Sequence, residues 1–106
     1  MAKADPNATK LTNAELEALG STLFDWAVDA SGETPRLVRK FLFANFADAL
    51  AFTNRVGDAA EAANHHPLIS LTWGEAVVEW WSHSAGGVTR NDIQMARTTD
   101  TLYSST

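Results

Sequence analysis

Cysteine is absent from the 106 residues of this chain. Disulfides, thiolate nucleophiles and cysteine-based zinc sites are therefore excluded, and any metal would have to be held by His, Asp or Glu. Basic residues are scarce: eight Lys and Arg face thirteen Asp and Glu, a formal charge of −5. A grip on nucleic-acid phosphate needs the opposite surplus, since it is driven by displaced counterions, so no direct nucleic-acid partner is expected. Long apolar runs are missing too. No segment approaches the ~20 apolar residues of a membrane span, and "MAKADPNATK" lacks the apolar stretch of a signal peptide. The corresponding expectations are no membrane association and a cytoplasmic location.

What is present is the composition of a folded rather than a disordered protein, 45% hydrophobic and 20% charged. A chain this short fills one core, so residues 11–106 are expected to form a single domain, preceded by a flexible polar segment over residues 1–10. A core of this size often gains stability from oligomerisation.

Periodicity orders the elements. "LTNAELEALG" reads as a helix with Thr12 as N-cap, Glu15 completing a capping box, Leu11 packing on Leu16, and Gly20 as the stop. Phe24, Trp26 and Val28 alternate as in a strand, and "DASGETP" follows as a turn. "RLVRKFLF" alternates again, with Leu37, Phe41 and Phe43 on one face and Val38, Lys40 and Leu42 on the other. From Asn45, an N-cap with Asp48 three residues on, the period becomes helical through Phe46, Leu50, Thr53, Val56 and Ala60, and Pro67 should end this long helix near Asn64. Two further strands, "LISLTW" and "EAVVEWWSH", meet near Gly74; in the second, Ala76, Val78, Trp80 and Ser82 share one face and Val77, Glu79, Trp81 and His83 the other. After "SAGG", Thr89 and Asp92 open a last helix. The expected fold is α+β, a four-stranded antiparallel sheet with three helices on one face, in the order helix, two strands, helix, two strands, helix.

Only three histidines occur, His65 and His66 at a helix-to-loop junction and His83 at a strand end before two glycines. Histidine titrates near neutral pH, so the three form a candidate acid/base set; a solvated surface imidazole is the plainer alternative. A metal clamp from Glu61, His65, His66 and His83 is the competing reading. Only Glu61 and His65 have the i, i+4 spacing of such clamps, and no metal is expected. Asp92 has two readings, a purely structural capping residue or a hydrogen-bond partner for a histidine. Trp81 likewise reads either as a platform for a flat ring or as cover for the sheet or a subunit interface.

"AEAANHHP", followed by "GEAVVEWWSHSAGGVTRND" and preceded by "FLFANFADALAFTNRVGDAAE", resembles the pterin-4a-carbinolamine dehydratase family. That family's pattern runs from an acidic residue through Asp or Asn, "HHP", an aromatic six positions after the proline, a strand ending in Thr-His, a "GGLT"-like turn and an Asp at the start of the last helix. Glu61, Asn64, His65, His66, Pro67, Trp73, His83, Gly86, Gly87, Thr89 and Asp92 match in order and spacing, and the likeness spans about residues 11–103. The chain departs from it at Ile69, where many relatives have Trp, and at Ser82, where Thr is usual.

The resemblance implies the same α+β fold and a substrate, 4a-hydroxytetrahydropterin, that loses water to give quinonoid dihydropterin in tetrahydrobiopterin recycling. Such an elimination needs a paired acid and base but no cofactor and no covalent nucleophile. On this basis His65 and His83 are the expected acid and base and His66 a binding residue, with Glu61, Asn64, Pro67, Trp81 and Asp92 in support. A homo-oligomer, dimer or tetramer, is implied as well. The alternative is a non-catalytic role on the same fold, as a dimerisation cofactor of a transcription factor or an assembly factor for a larger enzyme.

Overall fold

A computed structural model describes residues 6–105. Its elements follow the expected order: α1 (Asn13–Gly20), β1 (Ala27–Asp29), β2 (Arg36–Leu42), α2 (Phe46–Ala63), β3 (Leu68–Thr72), β4 (Glu75–Trp80) and α3 (Arg90–Ser104). Short 3-10 turns occupy Pro6–Ala8 and His83–Ala85. The flexible segment expected over residues 1–10 lies, for residues 1–5, outside the described residues.

The four strands form one antiparallel sheet in the order β1-β2-β4-β3. The two central strands carry the alternation that the sequence announces. Leu37 and Phe41 of β2 and Ala76, Val78 and Trp80 of β4 are all buried beneath the helices. On the opposite face the central strands are tied by the diagonal ion pairs Arg36–Glu79 (3.4 Å) and Lys40–Glu75 (3.3 Å). Trp73 and Gly74 make the two-residue turn of the β3–β4 hairpin, and Gly74 has φ 72°, a left-handed value that a side chain would resist.

Between sheet and helices lies an aromatic cluster. Phe41 sits 4.8 Å from Phe52 and 4.9 Å from Tyr103 between ring centroids, and Phe43 and Trp26 border the same group. Burying each such ring stabilises the fold by about 1.5–3 kcal/mol, and α2 and α3 are held on the sheet chiefly in this way. Leu11 and Leu23 join the core from the N-terminal region, with Leu16 and Leu19 of α1 packed against it.

Three expectations are corrected. The strand placed at Phe24–Val28 is only Ala27–Asp29, and Phe24 is 93% exposed. Turn hydrogen bonds from Leu23 N–H to Gly20 O and from Trp26 N–H to Leu23 O send Leu23 and Trp26, three apart, into the core together. The buried stripe of α2 is Ala49, Phe52, Val56 and Ala60, which leaves Phe46 and Leu50 largely exposed. Val56 and Ala60 belong to the expected helical set and are buried, while the large Phe46 and Leu50 drew its first two turns to the adjacent face. Finally, β4 stops at Trp80: Ser82 makes only an isolated bridge to Gly87, and His83 begins the 3-10 turn.

Candidate functional site

The two adjacent histidines are placed by the way α2 ends. Asn64 adopts a left-handed conformation (φ 50°, ψ 42°), its N–H donates to Glu61 O at 3.1 Å, and the His65 N–H donates to Ala60 O at 3.0 Å. This pair of reversed bonds is a Schellman closure, which satisfies the last helical carbonyls and turns the chain away sharply. Asparagine is the residue other than glycine that enters this conformation at least cost. Pro67 then fixes the chain direction into β3. His65 and His66 therefore leave the helix in different directions.

His65 is held on two sides. Its ring is stacked on Trp80, 5.7 Å between centroids and 7° from parallel, and its Nε2 lies 2.5 Å from Asp92 Oδ1. Asp92 is fully buried, and its other oxygen receives the Ser82 hydroxyl (2.8 Å), the Thr89 N–H (2.8 Å) and the Thr89 hydroxyl (3.2 Å). A carboxylate only accepts hydrogen bonds. The proton of the His65–Asp92 bond thus sits on Nε2, and in the neutral ring the lone pair is at Nδ1. Both readings of Asp92 hold at once: it completes the capping box of α3 with Thr89 and also fixes the ring of His65.

His66 is more open and is bound through Nε2 to Glu61 Oε2 at 2.6 Å. The i, i+4 relation of Glu61 to His65 is thus not used, because the turn at Asn64 swings His66 back over the last helical turn. Among the described residues no three His, Asp or Glu side chains gather closely enough to hold a metal ion.

His83 reaches the same region from the other side. Ser82 N–H donates to Gly87 O at 2.9 Å, closing residues 82–87 into a tight loop that His83 opens. Gly86, with φ 73°, makes the reversal. Together His65, His66 and His83 border one open groove of about 410 Å³ whose other walls include Asn64, Trp81, Ser82 and Asn91. Trp81 carries Arg36 over its ring, the guanidinium carbon 3.9 Å from the centroid. A second groove of about 440 Å³, lined by Phe43, Asp48, Arg55 and Tyr103 among others, has no histidine and lies away from this chemistry.

Of the residues singled out from the sequence, the three histidines, Asn64 and Trp81 line the groove, and Glu61 and Asp92 touch its histidines. Pro67 does not line it, and Trp73 stands 69% exposed at the β3–β4 turn. Sequence reasoning missed the hydroxyls of Ser82 and Thr89 as donors to Asp92, and Trp80 as the surface behind His65. The available signal was Ser82 itself, a polar residue in phase with the buried face of β4.

Two layers, an antiparallel sheet and the helices across it, with three imidazoles around an open groove at one end, define the class: a small α+β protein with a histidine-lined pocket. The sequence profile described as Pterin 4 alpha carbinolamine dehydratase matches residues 9–102. A protein of Chlorobium limicola named "Putative pterin-4-alpha-carbinolamine dehydratase" is 51% identical over 89 residues, 84% of this chain and 79% of that one. One of the same name from Marinobacter nauticus is 44% identical over 97 residues, 92% and 87% of the respective chains. The chain belongs to the pterin 4 alpha carbinolamine dehydratase family, a family of hydro-lyases. Among solved structures, a transcriptional coactivator/pterin dehydratase from Brucella melitensis superposes with TM-score 0.83 at 29% identity, covering 90% of this chain and 99% of that one. A pterin dehydratase-like protein identified as a RuBisCO assembly factor in the alpha-carboxysome shares the fold, with TM-score 0.64 at 22% identity over 77% of this chain and 93% of that one.

Proposed function

We propose that this protein dehydrates a 4a-hydroxytetrahydropterin, with His65 and His83 as the acid/base pair and His66 as a binding residue. The supporting observation is that all three imidazoles line one groove in a chain that belongs to this family. The groove, about 410 Å³, falls in the usual range of small-molecule sites, about 300–1,000 Å³. In the reaction the C4a–O bond breaks as the N5 lone pair forms the C4a=N5 double bond. One imidazole gives a proton to the departing hydroxyl, which leaves as water, and the other takes the N5 proton. The tetrahydrobiopterin form of the substrate is part of this proposal.

The test follows dehydration of the carbinolamine by absorbance against the spontaneous rate. The wild-type protein should exceed that rate clearly. His65→Ala and His83→Ala should each lose about 10²-fold or more in kcat, whereas His66→Ala should act mainly on KM. Full activity in the His65 or His83 variant overturns the assignment of roles.

Two further parts of the proposal rest on other observations. Leu42, Phe46 and Leu50 are large apolar side chains left exposed, which supports a homo-oligomer, and light scattering on the purified protein decides it. The Brucella relative's description as a coactivator supports a second, binding role. Folded protein that does not accelerate the dehydration would favour that role over catalysis.

A further inference from the structure

Trp81 stands just past the end of β4, where the strand ladder no longer restrains it, yet it walls the histidine groove. Its counterpart across the sheet is Arg36. The Leu37–Trp80 pair is the last in the β2–β4 register, so Arg36 and Trp81 are the next two residues outward, both on the face away from the helices. The guanidinium lies flat against the indole, 3.9 Å from its centroid. Arg36 is itself anchored: Glu79 Oε1 is 3.4 Å from its Nη1. This carboxylate keeps the cation beside the ring, and the same Trp81 lines the groove, which Arg36 does not.

We propose that Arg36, which does not line the groove, is a positioning residue for it: Arg36, held by Glu79, keeps Trp81 in the orientation that receives a flat heterocycle. The substrate's pterin ring is the class of ligand such a wall takes, so the inference rests on the dehydratase reading of the groove. A cation on one face of an indole also withdraws electron density from the other, which favours stacking of an electron-rich aminopyrimidinone. Because Arg36 acts through Trp81 and touches no reacting atom, its effect belongs to binding and not to the proton transfers.

Binding of 7,8-dihydropterin, a flat mimic that cannot lose water, is measured by calorimetry for R36A, R36K, W81A and R36A/W81A, together with steady-state dehydration. R36A should weaken dihydropterin and raise KM by about two- to fivefold, the size of a partly exposed cation–π contact, with kcat kept. R36K should retain part of the affinity, and R36A should have no further effect once Trp81 is gone. Unchanged affinity in R36A, or the same loss with and without Trp81, overturns the proposal. Should the wild-type protein neither bind dihydropterin nor dehydrate the carbinolamine, the functional reading fails separately. The indole N–H resonance of Trp81 then decides: a shift or broadening in R36A that spares Trp80 supports the positioning role, and an unchanged resonance overturns it.

Discussion

Replacing Asp92 by Asn changes one atom at the centre of the site and tests both roles of this residue. In the native protein one carboxylate oxygen faces His65 Nε2 at 2.5 Å, and the other accepts from the Ser82 hydroxyl and the Thr89 N–H at 2.8 Å each. An Asn side chain has only one acceptor oxygen. If that oxygen stays with the α3 cap, the amide NH₂ must face His65, and Nε2 must offer a lone pair where it previously carried the proton. The imidazole tautomer is thereby inverted, and Nδ1 carries a proton where it had a lone pair. The cap survives at the expense of one charge-assisted bond, so Asp92→Asn should cost about 1.5–3 kcal/mol of folding stability. Asp92→Ala is a harsher change. It strands the Thr89 N–H and the Ser82 hydroxyl in a buried place, at about 1–3 kcal/mol each, and removes the cap as well, about 1 kcal/mol more. Against a total stability of about 5–15 kcal/mol, the alanine variant is of use only where urea titration shows that it folds, and the asparagine variant is the informative one.

For Asp92→Asn, nitrogen-15 chemical shifts of His65 should report the proton moving from Nε2 to Nδ1, and kcat should fall by about 10–100-fold, the usual cost of losing a group that orients a functional histidine. KM should change little, because Asp92 is buried behind His65 and out of reach of a ligand. An asparagine variant that keeps the native tautomer and the native kcat would refute the reasoning and leave Asp92 a capping residue alone.

Other expectations follow from local geometry. Asn64→Gly should leave stability nearly unchanged, whereas Asn64→Val, a branched residue forced to φ 50°, should lose about 1–2 kcal/mol by urea unfolding. Asp100 accepts the Trp26 indole N–H at 2.8 Å and an Arg39 N–H at 2.6 Å. Asp100→Ala should therefore cost about 1–3 kcal/mol, measured calorimetrically, because it leaves the Trp26 indole N–H unpaired and the largely buried Arg39 with only its longer ion pair to Asp25, at 3.6 Å. The Thr12 backbone and hydroxyl hold the Glu15 carboxyl below its ordinary range. A group lowered on folding stabilises above its unfolded pKa and loses that contribution as pH falls through its folded value, so Glu15→Gln should flatten the acid limb of stability against pH.

The elements set by local rules were legible in the sequence. Capping boxes at Thr12 and Thr89, the Asn45 cap, the halt before Pro67 and the alternation in β2 and β4 are each decided within a few residues, and all recur in the structure. What failed depended on distant partners. Phe24 alternates with Trp26 and Val28 on paper, but the turn that buries Leu23 beside Trp26 overrides that pattern. Phe46 and Leu50 look like core residues by size, yet α2 turns Ala49, Phe52, Val56 and Ala60 inward, with Phe52 against Phe41 and Tyr103, and the face that carries Phe46 and Leu50 stays largely exposed. In the site, the groove's histidines could be named from their spacing. Glu61 and Asp92 could be named as supports, but not which imidazole each one holds, because the hydrogen bond between His65 and Asp92 spans 27 positions of chain and no periodicity encodes it.

The three histidines differ in how firmly they are held, and this bears on how the work is divided. His65 is fixed by the Schellman closure at its backbone, by Trp80 against its ring and by Asp92 at Nε2. His66 has one exposed carboxylate partner, and His83 sits on a short loop with an exposed side chain. A group that must meet a reacting atom in one orientation gains from being held before the ligand arrives, since no ordering cost is then left for the reaction itself. His65 is the imidazole with that preorganisation. An exposed residue on the facing loop can adjust to the ring once it is bound, which is the behaviour proposed for His83. On this argument Gly86→Ala, which strains the loop at φ 73° without touching His65, should lower kcat while leaving the His65 nitrogen shifts native. Movement of those shifts in the Gly86 variant would show that the two sides of the groove are not held independently.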